Sequence, residues 1–558
     1  MQRLVECVPN FSEGRDRALI DRITQAIASV DGVKLLDVDP GADTNRTVVT
    51  FVAPPETVGE AAFQGIKAAG ELIDMSRHTG AHPRMGATDV CPFIPVAGVT
   101  MEDCAEIARQ TGERVARELG IPVYLYEAAA ACPERVNLAT IREGEYEGLA
   151  EKILRPEWKP DFGAPVFNPR SGATVMGARE FLIAYNINFN TRDKALLTDI
   201  AFAIREKGRA KRDAKGAIVK DADGSTVMVP GLFKDVKAIG WYIPQYNCAQ
   251  LSINFTNYKV SPVHVVFDAV CRLAAEKGLR VTGSELVGLI PKTALLEAGT
   301  YFLEKQGKPP GVHEEELIHT AVRSLGLADV APFDPAKKII EYTVFTEKPR
   351  LAGMNLREFA NELASDSPAP GGGSVAALAG ALSAALGAMV SNLTAGKKGY
   401  EGVRETMLRI GVEGQRLKDE FLADIDLDTD AFNKVMDALS LPKRTDEEKA
   451  ARLAALEAAN QGATLVPLRV LRRSVDALKL ACRTAREGNR NSLSDAGVGG
   501  LMGRAAAMGA FYNVLINLQG ITDAAFATRV RAEALAARDE ALALAAEVEA
   551  CMKDGLKE

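Results

Sequence analysis

Two of the five histidines lie in one segment, MSRHTGAHPRMGATD, which is the clearest candidate for acid–base chemistry. Histidine is the usual general acid or base near neutral pH. Gly80 and Pro83 interrupt the segment, so it predicts a loop that presents His82 after a helix. The neighbouring cations Arg77 and Arg84 would suit an anionic substrate. A loop histidine bonded only to backbone is the competing interpretation.

The same segment could also form a metal site. Asp74, His78 and His82 follow one another at intervals of four residues. On a continuous helix this spacing would place three potential metal ligands on one face. The glycine and the proline within the segment disfavour such a helix, but a metal-dependent hydrolase stays an alternative.

Polar side chains also lie at the ends of predicted strands, in VPNFSEG and DVDPGADTNR. Asn10, Ser12, Asp39 and Asn45 take these positions. Sites in α/β proteins usually form at strand ends. Asn, Asp and Ser are equally the residues that turns use, so ordinary turn chemistry is the competing interpretation.

The segment SPAPGGGSVAALAG opens an apolar helix with a run of glycines. Ser374 is a candidate N-cap, and the backbone N–H groups near Gly372 and Gly373 could hold a carboxylate or another anion. The GK[ST] ending of a nucleotide P-loop is missing. A flexible hinge is the alternative to a ligand site.

The run LADIDLDTDAF places acids at positions 424, 426, 428 and 430. It lacks the glycine and the final glutamate of a calcium loop. On a helix, Asp428 falls within an apolar stripe, whereas Asp424 and Asp430 lie off it and should tolerate substitution. The stripe consists of Phe421, Ile425, Phe432 and Val435. Burial there would raise the pKa of Asp428 toward the range useful for proton transfer, unless the residue serves as a structural ion pair or cap.

The elements that must position these residues fall into three regions. The 558 residues exceed what one hydrophobic core accommodates. Residues 1–179 and 180–327 alternate strand-like runs with amphipathic helices, which predicts two α/β subdomains. Residues 328–355 form a linker, and residues 356–558 predict an antiparallel helical bundle. Residues 209–233 are polar and predict a surface loop or hairpin.

Composition narrows the class of protein. Lys and Arg number 67 against 74 Asp and Glu, a net charge of −7 that disfavours nucleic-acid binding. Eight scattered cysteines without a CxxC pair indicate free thiols in a reducing compartment, the cytoplasm, and no secretory signal pattern is visible. The uncharged stretch 367–396 is rich in Ala, Gly and Ser and predicts a buried helix rather than a membrane span.

Together, these motifs resemble one family, formimidoyltransferase-cyclodeaminase. Similar to formiminotransferase domains are VECVPNFSEGR, LLDVDPGADTNRTV, IDMSRHTGAHPRMGATDVCPFIPV, PDFGAPVFNPRSGATVMGAREFLIAYNIN and GSELVGLIPKTALL. Similar to the cyclodeaminase domain are APGGGSVAA, DIDLDTDAF and FYNVLINLQGITD. The resemblance spans almost the whole chain, and only residues 209–233 look like an insertion.

The resemblance implies two ferredoxin-like α+β sandwich subdomains followed by an all-α bundle. It implies an enzyme of histidine degradation that transfers the formimidoyl group from N-formimidoyl-L-glutamate to tetrahydrofolate. The product would then be cyclised to 5,10-methenyl-tetrahydrofolate with release of ammonia. His82 would be the transferase acid/base and Asp428 the cyclodeaminase catalytic residue. The implied folate-binding segment comprises Asp161, Phe162, Gly163, Ala164, Pro165, Val166, Phe167, Asn168, Pro169 and Arg170.

The resemblance further implies a polyglutamylated tetrahydrofolate co-substrate, no metal, small-molecule substrates and a homo-oligomer formed through the helical domain. Candidates for substrate binding are Asn10, Asp39, Asn45, Arg77, Arg84, Gly372, Gly373 and Ser374. One alternative is a metal-dependent hydrolase of formimino or ureido compounds that uses Asp74, His78 and His82. Another is a folate-binding protein without turnover, against which the presence of both His82 and Asp428 counts.

Overall fold

The computed structural model describes residues 3–42, 44–80, 82–344, 350–366 and 369–556. Internal contacts divide the chain into two compact units. The first comprises Met1–Ala294 with Leu325–Phe345, and the second comprises Leu295–Ser324 with Thr346–Glu558.

The first unit begins with a seven-stranded mixed sheet. Its strands are β1 Leu4–Cys7, β2 Asn10–Phe11, β3 Lys34–Gly41, β4 Arg46–Ala53, β5 Thr88–Ala97, β6 Val123–Glu127 and β7 Thr174–Ala178. The helices between them are α1 Arg17–Ala28, α2 Val58–Leu72, α3 Met101–Leu119, α4 Leu138–Ile141 and α5 Glu145–Lys152. The spatial order β3-β4-β1-β5 is antiparallel, and with α1 and α2 it gives the ferredoxin-like βαββαβ unit. Strands β7 and β6 extend the sheet in parallel beyond β5.

Buried apolar positions explain why these segments pack together. One core is built from β1, β4 and β5 with the inner faces of α1, α2 and α3, and Val5, Phe51 and Phe93 in it are completely buried. Helix α3 begins with a capping box between Thr100 and Asp103, which satisfies backbone donors that the first turn leaves free.

A second sheet repeats the same topology. The elements are β8 Ile183–Phe189, α6 Lys194–Ile204, β9 Arg209–Ala210, β10 Met228–Val229, β11 Val236–Ile243, β12 Cys248–Phe255, α7 Val263–Glu276 and β13 Val281–Val287. The antiparallel order β11-β12-β8-β13 is again ferredoxin-like. Strands β9 and β10 pair outside this sheet, so the polar stretch 209–233 is a hairpin, one of the two predicted forms.

Four helices follow the second sheet: α8 Lys292–Lys305, α9 Glu314–Leu325, α10 Pro335–Lys338 and α11 Ile340–Val344. Helices α10 and α11 belong to the first unit, whereas residues 295–324 group with the second. The carbonyl of Gly311, between α8 and α9, accepts hydrogen bonds from Asn392 Nδ2 at 2.6 Å and Gln415 Nε2 at 3.2 Å. The α8–α9 hairpin is thus anchored on the helical unit, although the sequence pattern places it in 180–327.

The second unit is helical throughout its described part. It contains α12 Leu356–Leu363, α13 Gly372–Ala395, α14 Arg404–Ser440, α15 Asp446–Glu487, α16 Leu493–Asn517 and α17 Ala524–Leu556. Helix α13 is long and apolar enough to cross a membrane, but 67% of its most apolar window is buried inside the protein. Its small residues allow close packing: a Cβ on Gly380 would lie 2.4 Å from the Phe421 ring. Burial against neighbouring helices agrees with the predicted core helix.

Candidate active sites

His82 lies on a loop between α2 and β5, and its closest polar neighbour is Arg46, the first residue of β4. The Nη1 of Arg46 donates to His82 Nε2 at 2.6 Å, because a guanidinium cannot accept a hydrogen bond. The Nδ1 of His82 is buried without a hydrogen-bond partner among the described residues. Burial, followed by the charges of Arg46 and Arg142, lowers the pKa of His82 to about 4. The imidazole is therefore neutral at physiological pH and can accept a proton.

The loop that carries His82 is fastened by residues that the sequence offered as site candidates. Asn45 accepts from Gly14 N at 3.0 Å and donates to the Thr79 carbonyl at 2.9 Å. Ser12 Oγ donates to the Gly86 carbonyl at 2.7 Å. Because these bonds join segments far apart in sequence, the side chains of Asn45 and Ser12 hold the loop in place.

The other candidates in this region have different surroundings. Asn10 is buried, and its Nδ2 donates to the Val8 carbonyl at 3.0 Å. Asp39 lies on β3, where its charge raises the pKa of Arg46. Arg77 is a surface residue with 87% of its side chain exposed, 3.8 Å from Asp74.

Arg84 is buried and already neutralised. Its guanidinium contacts Glu147 at 2.5 Å and Glu145 at 3.1 Å, and its Nε donates to His78 Nδ1 at 3.2 Å. A substrate carboxylate at Arg84 would have to displace these two glutamates. The nearby Arg142 is likewise paired, with the fully buried Asp89.

The proposed metal ligands are not assembled. Asp74 accepts from the N and Oγ of Ser76 at the start of a short helical turn. His78 has both ring nitrogens engaged, with Nε2 2.9 Å from the Asn45 carbonyl and Nδ1 bonded to Arg84. Within the described ranges, no three His, Cys, Asp or Glu side chains cluster closely enough to hold an ion. The described part of the chain therefore does not bring Asp74, His78 and His82 together as the metal-hydrolase alternative requires.

A cavity of about 790 Å³ adjoins this loop, within the first unit. It is lined by Pro83, by residues at the ends of β6 and β7, and by residues of the second sheet. Three of the lining side chains are cations: Arg142, Arg179 and Lys237. The volume is in the range of small-molecule sites, and its position at strand ends is typical of α/β proteins.

The segment Asp161–Arg170 lines a second cavity, of about 400 Å³, against the end of α3. Asp161 is fixed by Leu125 N at 2.7 Å and by Arg135 at 2.7 Å, which anchors the start of the segment. The ring of Phe167 lies 5.4 Å from that of Tyr146, whose hydroxyl donates to the Pro169 carbonyl at 2.5 Å. Tyr146 sits between the two glutamates that hold Arg84, so α5 connects this segment to the His82 loop.

In the helical unit, Asp428 of α14 faces the first turn of α13. Its Oδ2 lies 3.3 Å from Ser374 Oγ, and the Ser374 backbone N–H also donates to it. A Cβ on Gly373 would lie 2.2 Å from Asp428 Oδ1, so glycine is required for this approach. Burial raises the pKa of Asp428, although the bonds from Ser374 lower it. The carboxyl group thus takes up a proton more readily than an exposed aspartate does.

The start of α13 differs from its prediction. Its N-cap is Gly371, so the prediction of Ser374 as N-cap is wrong. Ser374 is fully buried inside the first turn, with Oγ 3.0 Å from the Ile425 carbonyl. The anion held at this helix start is the protein's own Asp428. Asn513 lies near Gly372, so the three motifs that resemble a cyclodeaminase meet at this point.

The three other acids of the run from 424 to 430 have structural partners. Asp424 is fully buried and contacts Arg469 at 2.7 Å and also Arg473. Asp426 accepts from Leu351 N at 2.8 Å, and Asp430 pairs with Arg350. Asp424 lies off the apolar stripe but not in solvent, so we no longer expect its substitution to be silent.

Sequence reasoning missed Arg46 and the two arginines on Asp424. Arg46 directly follows the candidate Asn45, so a signal was present in the motif DTNRTV. Arg469 and Arg473 lie 45 and 49 residues from Asp424, and only the packing of α14 against α15 brings them together.

Three family models match consecutive parts of the chain. The model described as "Formiminotransferase domain, N-terminal subdomain" matches residues 4–179, and "Formiminotransferase domain" matches residues 184–345. The model described as "Formiminotransferase-cyclodeaminase" matches residues 355–536.

Curated relatives resemble the chain over different lengths. A formimidoyltransferase-cyclodeaminase of Sus scrofa is 45% identical over 534 residues, 95% of each chain. A glutamate formimidoyltransferase of Thermoplasma acidophilum is 46% identical over 310 residues, 55% of this chain and 95% of the relative. A methenyltetrahydrofolate cyclohydrolase of Methylorubrum extorquens is 44% identical over 172 residues, 31% of this chain and 83% of the relative. The first relative spans nearly the whole chain, whereas the other two match smaller parts.

Proposed function

The chain belongs to the formimidoyltransferase-cyclodeaminase family, and on this premise we propose that it is a bifunctional folate enzyme of histidine degradation. It transfers the formimidoyl group of N-formimidoyl-L-glutamate to tetrahydrofolate and then cyclises 5-formimidoyl-tetrahydrofolate to 5,10-methenyl-tetrahydrofolate with release of ammonia. The observation that carries this conclusion is 45% identity over 95% of the chain to a relative named for both activities.

We assign the acid–base role in transfer to His82. N5 of tetrahydrofolate attacks the formimidoyl carbon, and a tetrahedral intermediate forms. His82 accepts the N5 proton and delivers it to the departing glutamate nitrogen, so the imidazole returns to its neutral state. The low pKa of His82 supports this role, because the neutral base is the populated form at pH 7.

We assign the proton transfer in cyclisation to Asp428. N10 attacks the carbon carried on N5, and the five-membered ring closes. Asp428 takes the N10 proton and passes it to the nitrogen that leaves as ammonia. The half-buried position of Asp428 beside Ser374 and its raised pKa support this assignment.

Binding roles are proposed for the flanking residues. Asp161–Arg170 hold tetrahydrofolate, which is supported by the cavity that residues of this segment line beside the end of α3. The co-substrate is taken to be polyglutamylated, as the family resemblance implies. The domain boundary is placed within 328–355, where the mixed strand and helix pattern ends.

Assembly and location are also proposals. The helical unit forms homo-oligomers, since α13 and α16 carry exposed apolar side chains in the single chain. The enzyme is cytoplasmic, which is supported by the eight scattered cysteines without a CxxC pair.

The test is an absorbance assay for methenyl-tetrahydrofolate, with ammonia release measured in parallel. Wild-type enzyme should form methenyl-tetrahydrofolate from tetrahydrofolate and N-formimidoyl-glutamate. His82→Ala should lose transfer by ~10²–10⁴-fold but still cyclise supplied 5-formimidoyl-tetrahydrofolate. Asp428→Asn should transfer without releasing ammonia. Hydrolysis of the donor without tetrahydrofolate, together with stoichiometric bound metal, would instead support the hydrolase alternative.

A further inference from the structure

Arg46 stands out near His82 as a cation whose guanidinium forms no ion pair with a carboxylate of the described residues. The one hydrogen bond of its guanidinium to a described residue goes to the neutral imidazole of His82, and its Nε is buried without a partner among those residues. Asp39 and Asp89 attract it through space, but neither forms an ion pair with it in the described structure. A desolvated guanidinium without a counter-ion is unfavourable, so the position favours binding of an anion.

The neighbouring arginines, in contrast, have carboxylate counter-ions. Arg142 is paired with Asp89, and Arg84 with Glu145 and Glu147. Arg142 also repels Arg46, and together with burial this lowers the pKa of Arg46. A carboxylate bound at Arg46 would relieve both the missing hydrogen bond at Nε and the repulsion between the two guanidinium groups.

The covalent structure of the donor indicates which carboxylate fits. In N-formimidoyl-glutamate, the nitrogen that departs is bonded to the carbon that carries the α-carboxylate. A base that reaches this nitrogen therefore has the α-carboxylate close beside it. Arg46 Nη1 is 2.6 Å from His82 Nε2, the nitrogen that would handle the proton.

We propose that Arg46 binds the α-carboxylate of the formimidoyl donor and selects donors that carry it, an inference that rests on the proposed transferase function. When the carboxylate binds, the guanidinium turns from the imidazole to the carboxylate oxygens. His82 Nε2 then has a free lone pair for the N5 proton. Because the charge of Arg46 is now compensated, the imidazole also becomes a stronger base. Binding of the donor thus frees His82 Nε2 and raises its basicity before proton transfer begins.

The experiment compares donors on the full-length enzyme and its Arg46→Gln variant. N-formimidoyl-4-aminobutyrate lacks only the α-carboxylate, and N-formimidoyl-L-alanine keeps it but lacks the γ-carboxylate. Wild type should prefer the glutamate donor over the 4-aminobutyrate donor by at least ~10²-fold in kcat/KM, since an unfilled polar site disfavours the truncated ligand. In Arg46→Gln this ratio should fall to a few-fold, while the ratio of the glutamate donor to the alanine donor should not change.

Two further variants serve as controls for charge and for folding. Arg15→Gln makes the same substitution at an exposed arginine of a neighbouring loop and should keep the wild-type ratios. Should Arg46→Gln not fold, Arg46→Lys retains the charge without the planar fork and should still reduce the preference for the α-carboxylate.

Several results would overturn the proposal. One is a wild-type enzyme that uses both donors equally, and another is an Arg46→Gln variant that slows all donors by the same factor. Loss of discrimination against the alanine donor instead would assign the γ-carboxylate to Arg46. A raised KM for tetrahydrofolate polyglutamates with unchanged donor ratios would assign a folate carboxylate. If the wild type transferred no formimidoyl group from any donor, the proposed function itself would fail. Failure of the Arg46 proposal alone would instead show as transfer with donor ratios that Arg46→Gln does not change.

Discussion

Burial shifts the pKa values of the two proposed catalytic residues in opposite directions for one reason. It disfavours the charged form, so it lowers the pKa of His82 and raises the pKa of Asp428. His82 is therefore neutral at physiological pH, and Asp428 takes up a proton more readily than an exposed aspartate does. The arginines around His82 reinforce the effect, whereas the Ser374 donors at Asp428 oppose it.

We expect the transferase to keep its activity in mild acid. With the pKa of His82 at about 4 in the free enzyme, the base stays neutral well below its ordinary value of ~6.5. The kcat/KM of transfer should therefore be level from pH 8 down to about 5 and fall below that. Arg46→Gln removes a neighbouring positive charge, so the acid limb should move to higher pH. A wild-type limb near 6.5 would contradict the low pKa.

The same shift affects stability, with the sign set by the depressed pKa. Above the ordinary histidine value, neither folded nor unfolded chain protonates His82, and its contribution to stability is complete. As the pH falls from ~6.5 toward 4, the unfolded chain binds the proton first. The buried imidazole thus favours unfolding progressively over this window.

Changing Asp428 or Asp430 of α14 to asparagine should have very different effects on cyclodeaminase activity. Asp428→Asn should lower cyclodeaminase activity by ~10²–10⁴-fold while circular dichroism stays native, because the amide keeps the shape of the side chain but cannot take up and release a proton. Asp430→Asn is the matched control, since Asp430 is half-exposed in a surface ion pair and should be nearly silent. The assay is cyclisation of supplied 5-formimidoyl-tetrahydrofolate. An active Asp428→Asn enzyme would refute the assignment.

Asp424→Asn should act on stability instead. It removes a fully buried charge from contact with Arg469 and Arg473, which should cost about 3 kcal/mol in the free energy of unfolding. Denaturant titration beside Asp430→Asn measures the difference. Equal midpoints for the two variants would mean that the buried contact contributes nothing.

At the scale of elements, the crossing of α13 over α14 forms the site that we propose for cyclodeaminase activity. The glycines at the start of α13 let the two backbones approach until Asp428 receives the Ser374 N–H. Serine or alanine at every position of the first turn would prevent this contact. The small-residue run therefore has a packing role, not only the hinge or anion-binding role considered from its composition.

Two adjacent glycines allow a direct test of this crossing. A methyl group on Gly373 would lie 2.2 Å from Asp428 Oδ1, whereas one on Gly372 would meet its nearest atom, Asn513 Nδ2, at 3.5 Å. Gly373→Ala should therefore reduce cyclisation at least ~10-fold by displacing Asp428, and Gly372→Ala by no more than a few-fold. Both variants should transfer formimidoyl groups normally. Equal effects of the two substitutions would argue against steric displacement.

At the scale of the whole molecule, the helical unit exposes apolar side chains that a monomer would not need. On α13 these are Val375, Leu382, Met389 and Leu393, and on α16 they are Val498, Leu501, Tyr512 and Ile516. The spacing of seven between the first three resembles the seam of a coiled coil. Since α13 and α16 pack side by side, the two stripes could be covered together by a second copy of the chain.

A charge placed in this surface should therefore dissociate the enzyme. Leu382→Glu should lower the oligomeric state measured by sedimentation velocity, because an unpaired carboxylate would be buried between the subunits. Leu453→Glu, at a 64% exposed position on α15 outside both stripes, is the matched control. An unchanged sedimentation coefficient for Leu382→Glu would place the subunit interface elsewhere.

Periodicity along the chain predicts the local elements, and residue type and position single out His82 and Asp428 as candidates for catalysis. The bundle predicted over 356–558 contains the long helices α14 and α15, because amphipathic periodicity is a property of neighbouring positions. Asp428 stood out as an acid on an apolar stripe. His82 stood out as a histidine on a loop bounded by glycine and proline.

The surroundings of these two residues became visible only in the folded chain. It placed Arg46 on His82 across 36 residues of sequence, and it filled the helix start at Gly373 with Asp428. It also buried Asp424 between two arginines of another helix, against the prediction that Asp424 is tolerant. The physical reason is range: periodicity is set by adjacent residues, whereas pKa, ion pairing and close backbone approach depend on distances through space that sequence spacing does not contain.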